Sequence, residues 1–410
     1  MPDVTVLDVR LHGRSIGTLT RVQGDRTFFA FNQDYIDDPA RPTLSLSFKD
    51  TLGELITDFR PVQTRLPPFF SNLLPEGAMR DYLAQQARVD PAREFFLLWV
   101  LGRDLPGALE IHPADGRSWP GRDDDKAEQA AIAAEQDESV LHFSLAGVQL
   151  KFSAVKEATG GLTIPVNGVG GDWIVKLPST HYKHVPENEF AMMELARRAG
   201  IDVPETALIA LGKVSGLPKG IERAGSHAFI TRRFDRAPNG GQIHIEDFAQ
   251  VFGVYPDKKY GAASYRNIAS VIWTETGERG IAEFIRRFVF NALIGNGDMH
   301  LKNWSLIYPD GRHAALAPGY DFVSTISYIP GDKLGLNFLG SKSFEALTLD
   351  RFSRFAAKAL LPEKLVTDTV QESVQAFADA WRDAKDLAID GSVRGALESH
   401  LKTLPLWKGV

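Results

Sequence analysis

The sequence predicts an α+β fold in two lobes behind a β-rich N-terminal subdomain, and three observations carry that expectation. The first ~30 residues alternate apolar and polar positions between short turns, as an antiparallel meander does. Near the middle, the apolar run Trp173–Pro178 is followed closely by a helical pattern over Pro186–Gly200. The second half is helical in pattern but is interrupted by a tight polar loop, Gly295–Asn303, and an apparent hairpin, Trp304–Ala317. The expected division is a β-rich subdomain over residues 1–112, an acidic linker over 113–139, a sheet-based lobe over 140–236 and an all-helical lobe over 237–410.

In the N-terminal part, Val4–Leu11 reads as a strand, His12–Ser15 as a turn and Ile16–Val22 as a second strand. Thr27–Phe31 is a third, after the turn Gln23–Arg26. Leu66–Gly77 is a proline-punctuated apolar segment whose Phe69 and Phe70 face either a core or a packing surface. Helices are expected near Met79–Ala87 and Pro91–Leu101, the second with Phe95, Phe96, Leu98 and Trp99 in a core. Pro113–Glu138, with Asp123-Asp124-Asp125 and an alanine- and acid-rich stretch, reads as a solvated linker.

The second part opens as strand, loop and strand over Leu141–Val155, with Ser144, Gly147, Val148, Gln149 and Lys151 at the turn. In the next strand Lys176 is the one charge in an apolar run, so it must meet an anion or extend out of the core. The following helix presents Phe190, Met193, Ala196 and either Leu195 or Ala199 to a core. It offers Glu189 or Glu194 as partner for Lys176, Glu189 being preferred. Ala228–Arg236 is an apolar strand running into a charged edge. His244–Val254 starts the helical lobe, Tyr255–Tyr265 is a polar loop rich in lysine and tyrosine, and Thr348–Leu404 is helical with Trp381 on an apolar face.

The chemistry concentrates around Gly295–Asn303. Ile281–Ile294 repeats apolar residues every three or four positions, so a helix presents Ile281, Phe284, Ile285, Phe288, Ala292 and Leu293 to a core. Gly295 and Gly297 stop it and deliver a polar loop. Asp298 and Asn303 lie five residues apart, the spacing of base and metal-binding asparagine in a kinase catalytic loop. Eighteen residues further on, Asp321 stands beside Phe322. Asp, Asn, hairpin and Asp in that order suit phosphoryl transfer: one carboxylate orients the attacking hydroxyl, while an amide and a second carboxylate hold Mg²⁺ on the phosphates. Turn and cap roles for Asn296, Asp298 and Asn303 are the competing reading. In the phosphoryl-transfer reading Lys176 meets phosphates and a helix glutamate. The Ser144–Lys151 turn lies over phosphates despite having one glycine instead of three, and Phe234 lies near the adenine at an inter-lobe hinge together with Arg232. The predicted architecture is therefore a two-lobed, protein-kinase-like fold.

Composition narrows the alternatives. The chain of 410 residues is long for one domain, and 44% hydrophobic with 24% charged residues is ordinary globular composition. A net charge of −6 gives no overall case for nucleic acid or an anionic membrane. There is no cysteine, which removes disulfides and thiolate chemistry. Met1–Val4 shows no secretory pattern and no run reaches a membrane span, so a soluble, cytoplasmic protein is expected.

Eight stretches in order, Leu66–Gly77, Gly102–Ala108, Ser144–Lys151, Trp173–Pro178, Glu187–Glu189, Arg233–Arg236, Glu246–Phe248 and Gly295–Asn303, make the chain resemble the HipA family along nearly its whole length. These are the serine/threonine-protein kinase toxins of type II toxin–antitoxin modules. The resemblance implies ATP and Mg²⁺ as cofactors, Asp298 as base, Asn303 and Asp321 as metal ligands, and Lys176 as the phosphate-binding lysine. It implies that Ser144 is autophosphorylated, which ejects the phosphate loop and inactivates the kinase. His300 and Lys302 belong to the family's catalytic loop, His300 standing where ordinary protein kinases carry a lysine, in reach of the transferring phosphate. A HipB-like helix-turn-helix antitoxin is the implied partner, with operator DNA reached mainly through it. The implied substrate is a protein, aminoacyl-tRNA synthetases being among the family's targets. The acidic insert before Ser144 is a departure from the family pattern. Competing readings are a metal-dependent phosphoesterase using Asp298, His300 and Asp321, a small-molecule phosphotransferase, and a non-catalytic scaffold that binds an antitoxin.

Overall fold

The structure is a computed structural model, and it describes residues 6–116, 150–156, 162–164, 170–217 and 221–409. β1 (Val6–Leu11), β2 (Arg14–Val22) and β3 (Arg26–Phe31) form the antiparallel meander that the alternation predicts. Leu7, Val9 and Leu11 all point to one buried face, at the two-residue repeat of a strand. β4 (Val62–Gln63) and β5 (Leu109–Pro113) widen the sheet to five strands in the order β4-β3-β2-β1-β5. Neither is in the sequence reading: β4 is two residues long, and β5 emerges from the glycine-rich loop Gly102–Ala108. Phe69 and Phe70 go to the core, packed on Phe48 and Phe29. The helices Gly77–Gln86 and Glu94–Leu101 complete this part.

A second sheet follows. β6 (Lys151–Lys156), β7 (Leu162–Thr163), β8 (Trp173–Lys176), β9 (Thr206–Ala210), β10 (Val214–Ser215) and β11 (His227–Arg232) lie in the order β10-β7-β6-β8-β11-β9. Its pairs are antiparallel except β10 with β7. The helix Val185–Arg198 lies against β9 and β11 and buries Met192, Met193, Leu195 and Ala196. Ser144, Gly147, Val148 and Gln149, the strand expected from Leu141, and the linker beyond residue 116 lie outside the described residues.

The C-terminal lobe is organised on the helix Tyr265–Leu293, which bends at Gly277 (φ +64°, ψ −153°). A glycine is needed there because a side chain at positive φ clashes with the backbone. Beyond the bend, Ile281, Phe284, Ile285, Phe288, Ala292 and Leu293 are each at most 1% exposed, so the predicted apolar face is the buried one. Phe288 sits among Tyr265, Phe338 and Phe352 at centroid distances of 4.2, 5.2 and 5.5 Å. The helices Leu349–Ala359, Glu363–Arg382 and Gly391–Thr403 close the lobe. One expectation needs correcting, since His244–Asp247 is a strand, β12. It pairs with β13 (Ser305–Tyr308), which pairs with β14 (Ala315–Leu316), so the lobe is helical around a three-stranded sheet. The helix begins only at Phe248, where Asp247 and Gln250 form a capping box.

The N-terminal part and the C-terminal lobe meet through a polar seam. Glu246, fully buried on β12, accepts from Ser45 Oγ (2.5 Å), the Leu46 N–H (3.0 Å) and the Tyr308 hydroxyl (2.5 Å). Arg233 donates to Asp104 (2.8 Å) and by two nitrogens to Asp235 (3.0 and 2.9 Å), while Arg236 donates to Asp104 (3.0 Å). The Gly107 N–H donates to Asp235 Oδ2 (2.8 Å). The Gly102–Ala108 and Arg233–Arg236 stretches are thus one fastening between distant parts of the chain.

Burial pushes the Glu246 carboxyl up to about 7, its donors pulling the other way. The folded value lies above the unfolded one, so the stability tied to this group is complete below about pH 4.5 and is lost as pH rises through about 7. The difference in unfolding free energy between wild type and Glu246→Gln is expected to fall, by something on the order of 3 kcal/mol, between about pH 5 and pH 8. Urea titrations of both proteins across that range check it, and a difference flat in pH would refute it.

Candidate active site

Three chain segments converge on Lys176. β8 sets it at its C-terminal end, between β6 and β11, with Lys151 and Phe229 as its register partners. Trp173 and Val175 anchor the strand in the core, leaving the lysine to face the cleft. Its Nζ donates to both Glu189 and Asp321. Glu189 is therefore the partner, whereas Glu194 is taken by Arg197 and by Thr206 Oγ1 (3.0 Å).

The charges in this cluster explain one another. Burial alone would lower the Lys176 pKa, but Asp321 and Glu189 outweigh it and hold the ammonium charged. Asp321 is partly buried, which works against its charge, yet Lys176 and Lys151 hold its carboxyl down at about 2. Glu189 is raised to about 7 by burial, against the pull of Lys176, and its Oε2 meets no donor among the described residues. Lys151 lies at the cleft mouth, where crowding and the neighbouring Lys176 lower its pKa and Asp321 opposes them.

Asp321 has φ +57°, a left-handed conformation that aspartate tolerates better than most residues. Phe322 is buried against Phe290 at 5.3 Å. Asn296 ties this turn to the Gly295–Asn303 loop: its Nδ2 donates to Asn291 Oδ1 (2.8 Å) and to the Asp321 carbonyl (3.2 Å), and its Oδ1 accepts from the Asp298 N–H (3.0 Å). Gly295 (φ +63°) admits no side chain because a Cβ would strike Ile326, 2.5 Å away. The Gly297 N–H donates to Thr325 Oγ1 (2.7 Å). Asn188 of the Glu189 helix exchanges hydrogen bonds of 3.2 Å with the Ser324 backbone, joining the two lobes behind the cluster.

Asp298 is half exposed at the cleft rim, and the protein around it raises its pKa while the Tyr260 hydroxyl, donating to Oδ1, lowers it. Asn303 donates to the Asp298 carbonyl (2.8 Å). His300 Nε2 lies 4.0 Å from Asp298 Oδ1, and burial, helped by Lys259, brings its pKa down to about 3, so the ring is neutral. Lys302, which the resemblance puts in the catalytic loop, is engaged by the N-terminal part. Its ammonium is taken by Glu76 (2.8 Å) and the Asn72 carbonyl (3.1 Å), both in the N-terminal part. Tyr320, beside Asp321, donates to the Lys302 carbonyl (2.9 Å) and so ties the Asp321 turn to the residue before Asn303.

Arg232 and Phe234 line an open cleft of about 200 Å³ with Pro204, Glu205 and Pro238. Phe234 lies 5.6 Å from Tyr320, the neighbour of Asp321. Among the described residues no group of three or more His, Cys, Asp or Glu has the geometry to hold a metal by itself. An ionised Asp321 and the Asn303 amide suit Mg²⁺, which takes one or two protein ligands and completes its shell with phosphates and water. Sequence reasoning missed Asn188, Asn296, Tyr260 and Glu76, whose roles depend on contacts across long sequence separations. The turn-residue reading of Asn296 was the one local signal.

Residues 7–112 match the HipA N-terminal domain, and residues 143–381 match the HipA-like C-terminal domain. The chain is 56% identical over 412 residues to "Putative kinase Y4dM" of Sinorhizobium fredii, covering 100% of this chain and 99% of that one. It is 26% identical over 359 residues to "Serine/threonine-protein kinase toxin HipA" of Shewanella oneidensis, covering 78% and 76%. The fold is shared with a chain of the Shewanella oneidensis MR-1 complex of HipA, HipB and operator DNA. That alignment has a TM-score of 0.74 at 21% identity and covers 98% of this chain and 96% of the other. No described helix is long and apolar enough to cross a membrane. The chain belongs to the HipA family of kinase-like proteins and carries both of the family's domains.

Proposed function

We propose that the protein is an ATP- and Mg²⁺-dependent serine/threonine-protein kinase and the toxin of a HipA/HipB-like module. The observation that carries this reading is Lys176 bridging Glu189 and Asp321, with Asp298 and Asn303 on the adjoining loop. ATP, bound with Mg²⁺, supplies the γ-phosphate. Lys176 neutralises phosphate oxygens, and Asp321 and Asn303 are the metal ligands. The Ser144–Lys151 turn, through Gly147, Val148, Gln149 and Lys151, covers the phosphates, while Arg232 and Phe234 border the base. Asp298 receives or orients the proton of the acceptor hydroxyl, and neutral His300 lies beside it as a donor toward the phosphoryl group. Catalysis is then positioning and charge neutralisation, with no covalent intermediate. The acceptor is a serine or threonine of a translation-related protein, and of Ser144 in the chain itself. A helix-turn-helix antitoxin of the HipB kind is the partner and brings operator DNA with it.

Intact mass after incubation with ATP and Mg²⁺ tests the reading, on wild type, Asp298→Ala and Ser144→Ala. One added phosphate on wild type and none on either variant is expected. Wild type already phosphorylated after expression supports it equally. No phosphate anywhere, with ATP still bound, would favour a scaffold or a small-molecule acceptor.

A further inference from the structure

The loop after Phe248–Val251 reaches the proposed base through Tyr260. The Tyr260 hydroxyl donates to Asp298 Oδ1, and its ring stands edge-on to His300, centroids 4.9 Å apart at 82°. The second oxygen of Asp298 meets no donor among the described residues. The backbone around Tyr260 is pinned. The Leu301 N–H donates to the Lys259 carbonyl (3.3 Å), and Lys342 Nζ donates to the Tyr260 carbonyl (3.1 Å). Lys259 Nζ reaches Glu76 Oε2 at 2.8 Å, and the other oxygen of that carboxylate takes Lys302 at 2.8 Å. Glu76 therefore grips the catalytic loop and the tyrosine loop at once, from the N-terminal domain. Lys302 and Lys259 hold its carboxyl down at about 2 in spite of burial, so the grip stays charged at any ordinary pH.

We infer that Tyr260 is a positioning residue for Asp298 and that Glu76 of the N-terminal domain seats it. This deepens the kinase reading and rests on it. A carboxylate on a loop rotates between acceptors. With one oxygen held by Tyr260, the other is turned to the incoming hydroxyl before substrate arrives, and misplacement by 1 Å costs on the order of 10²-fold in rate. The arrangement gives the N-terminal domain a part in the chemistry: the tyrosine that orients the base is set by a glutamate some 180 residues earlier.

Tyr260→Phe keeps the ring on His300 and removes only the hydroxyl. Expected is a fall in kcat for transfer to Ser144 or a protein acceptor of roughly 10- to 100-fold, with the KM for ATP and the melting temperature unchanged. Glu76→Gln is expected to lower kcat in the same direction. Hydrogen exchange read by mass spectrometry supplies a measure independent of turnover: peptides over Gly295–Asn303 should exchange several-fold faster in Glu76→Gln than in wild type. Full kcat in Tyr260→Phe overturns the inference, as does a change confined to the KM for ATP. Wild type that transfers no phosphate to any acceptor overturns the kinase reading, and the inference with it.

Discussion

Asp298→Ala is expected, under the proposed kinase reading, to lower phosphoryl transfer by roughly 10²- to 10⁴-fold, the contribution of a positioned general base. The fold is expected to survive, because the carboxylate supports little besides chemistry. Asp298 is half exposed, and its loop is fixed by the Asn296 and Asn303 amides acting on its backbone N–H and carbonyl, both of which alanine retains. Stability should therefore change by no more than ~0.5 kcal/mol plus the loss of one exposed bond to Tyr260. Radiolabelled transfer and thermal melting, run on the same preparations, check both halves. Normal transfer in a folded variant would remove Asp298 from the mechanism.

Asp321→Asn is expected to weaken the proposed Mg²⁺–ATP binding by roughly 10- to 100-fold, equivalent to about 1.4–2.7 kcal/mol. The substitution is close in shape, and asparagine accepts the φ of +57° that aspartate adopts here, so the backbone turn is kept and the charge alone is lost. That charge is present at any working pH, since Lys176 and Lys151 hold the carboxyl at about 2 against burial. Lys176 keeps Glu189 in the variant and remains paired. Calorimetric titration of ATP at several Mg²⁺ concentrations measures the effect. A metal dependence identical to wild type would count against Asp321 as a ligand.

The sequence made much of this legible because local rules and tertiary packing agree at the key positions. The apolar face from Ile281 to Leu293 follows from spacing alone, and it is the face buried. Lys176, a lone charge in an apolar strand, announces an anionic partner, and spacing on the next helix leaves only Glu189 or Glu194 to choose between. The choice needed coordinates: Glu194 is drawn off by Arg197, three residues on in the same helix, and by Thr206 on the following strand. His244–Asp247 went unrecognised as a strand because its alternation is carried by polar residues: His244 and Glu246 are the buried positions, His244 Nε2 bonded to the Leu44 carbonyl and Glu246 accepting from Ser45 and Tyr308. Lys302 lies in the loop that the resemblance marks out, and its ammonium is tied to Glu76, more than 200 residues away, a contact no local pattern shows. Long-range polar pairing is what sequence periodicity does not encode.

The seam built on Glu246, Asp104, Arg233 and Asp235 also governs how this molecule can be taken apart. An apolar interface, once cut, exposes grease that detergent or a helper protein will cover. A cut through this one strands ionised or hydrogen-bond-hungry groups whose complements sit on the missing piece, some of them buried to a few per cent. Asp104 would lose both of its arginines, and Glu246 would keep Tyr308 but lose Ser45 and the Leu46 N–H. The catalytic lobe is therefore no detachable module: a truncation that begins after the N-terminal domain would inherit the machinery without the counter-charges that shape it. Recombination between relatives at that joint must carry both faces of the seam together, so the two domains are expected to exchange as a single unit.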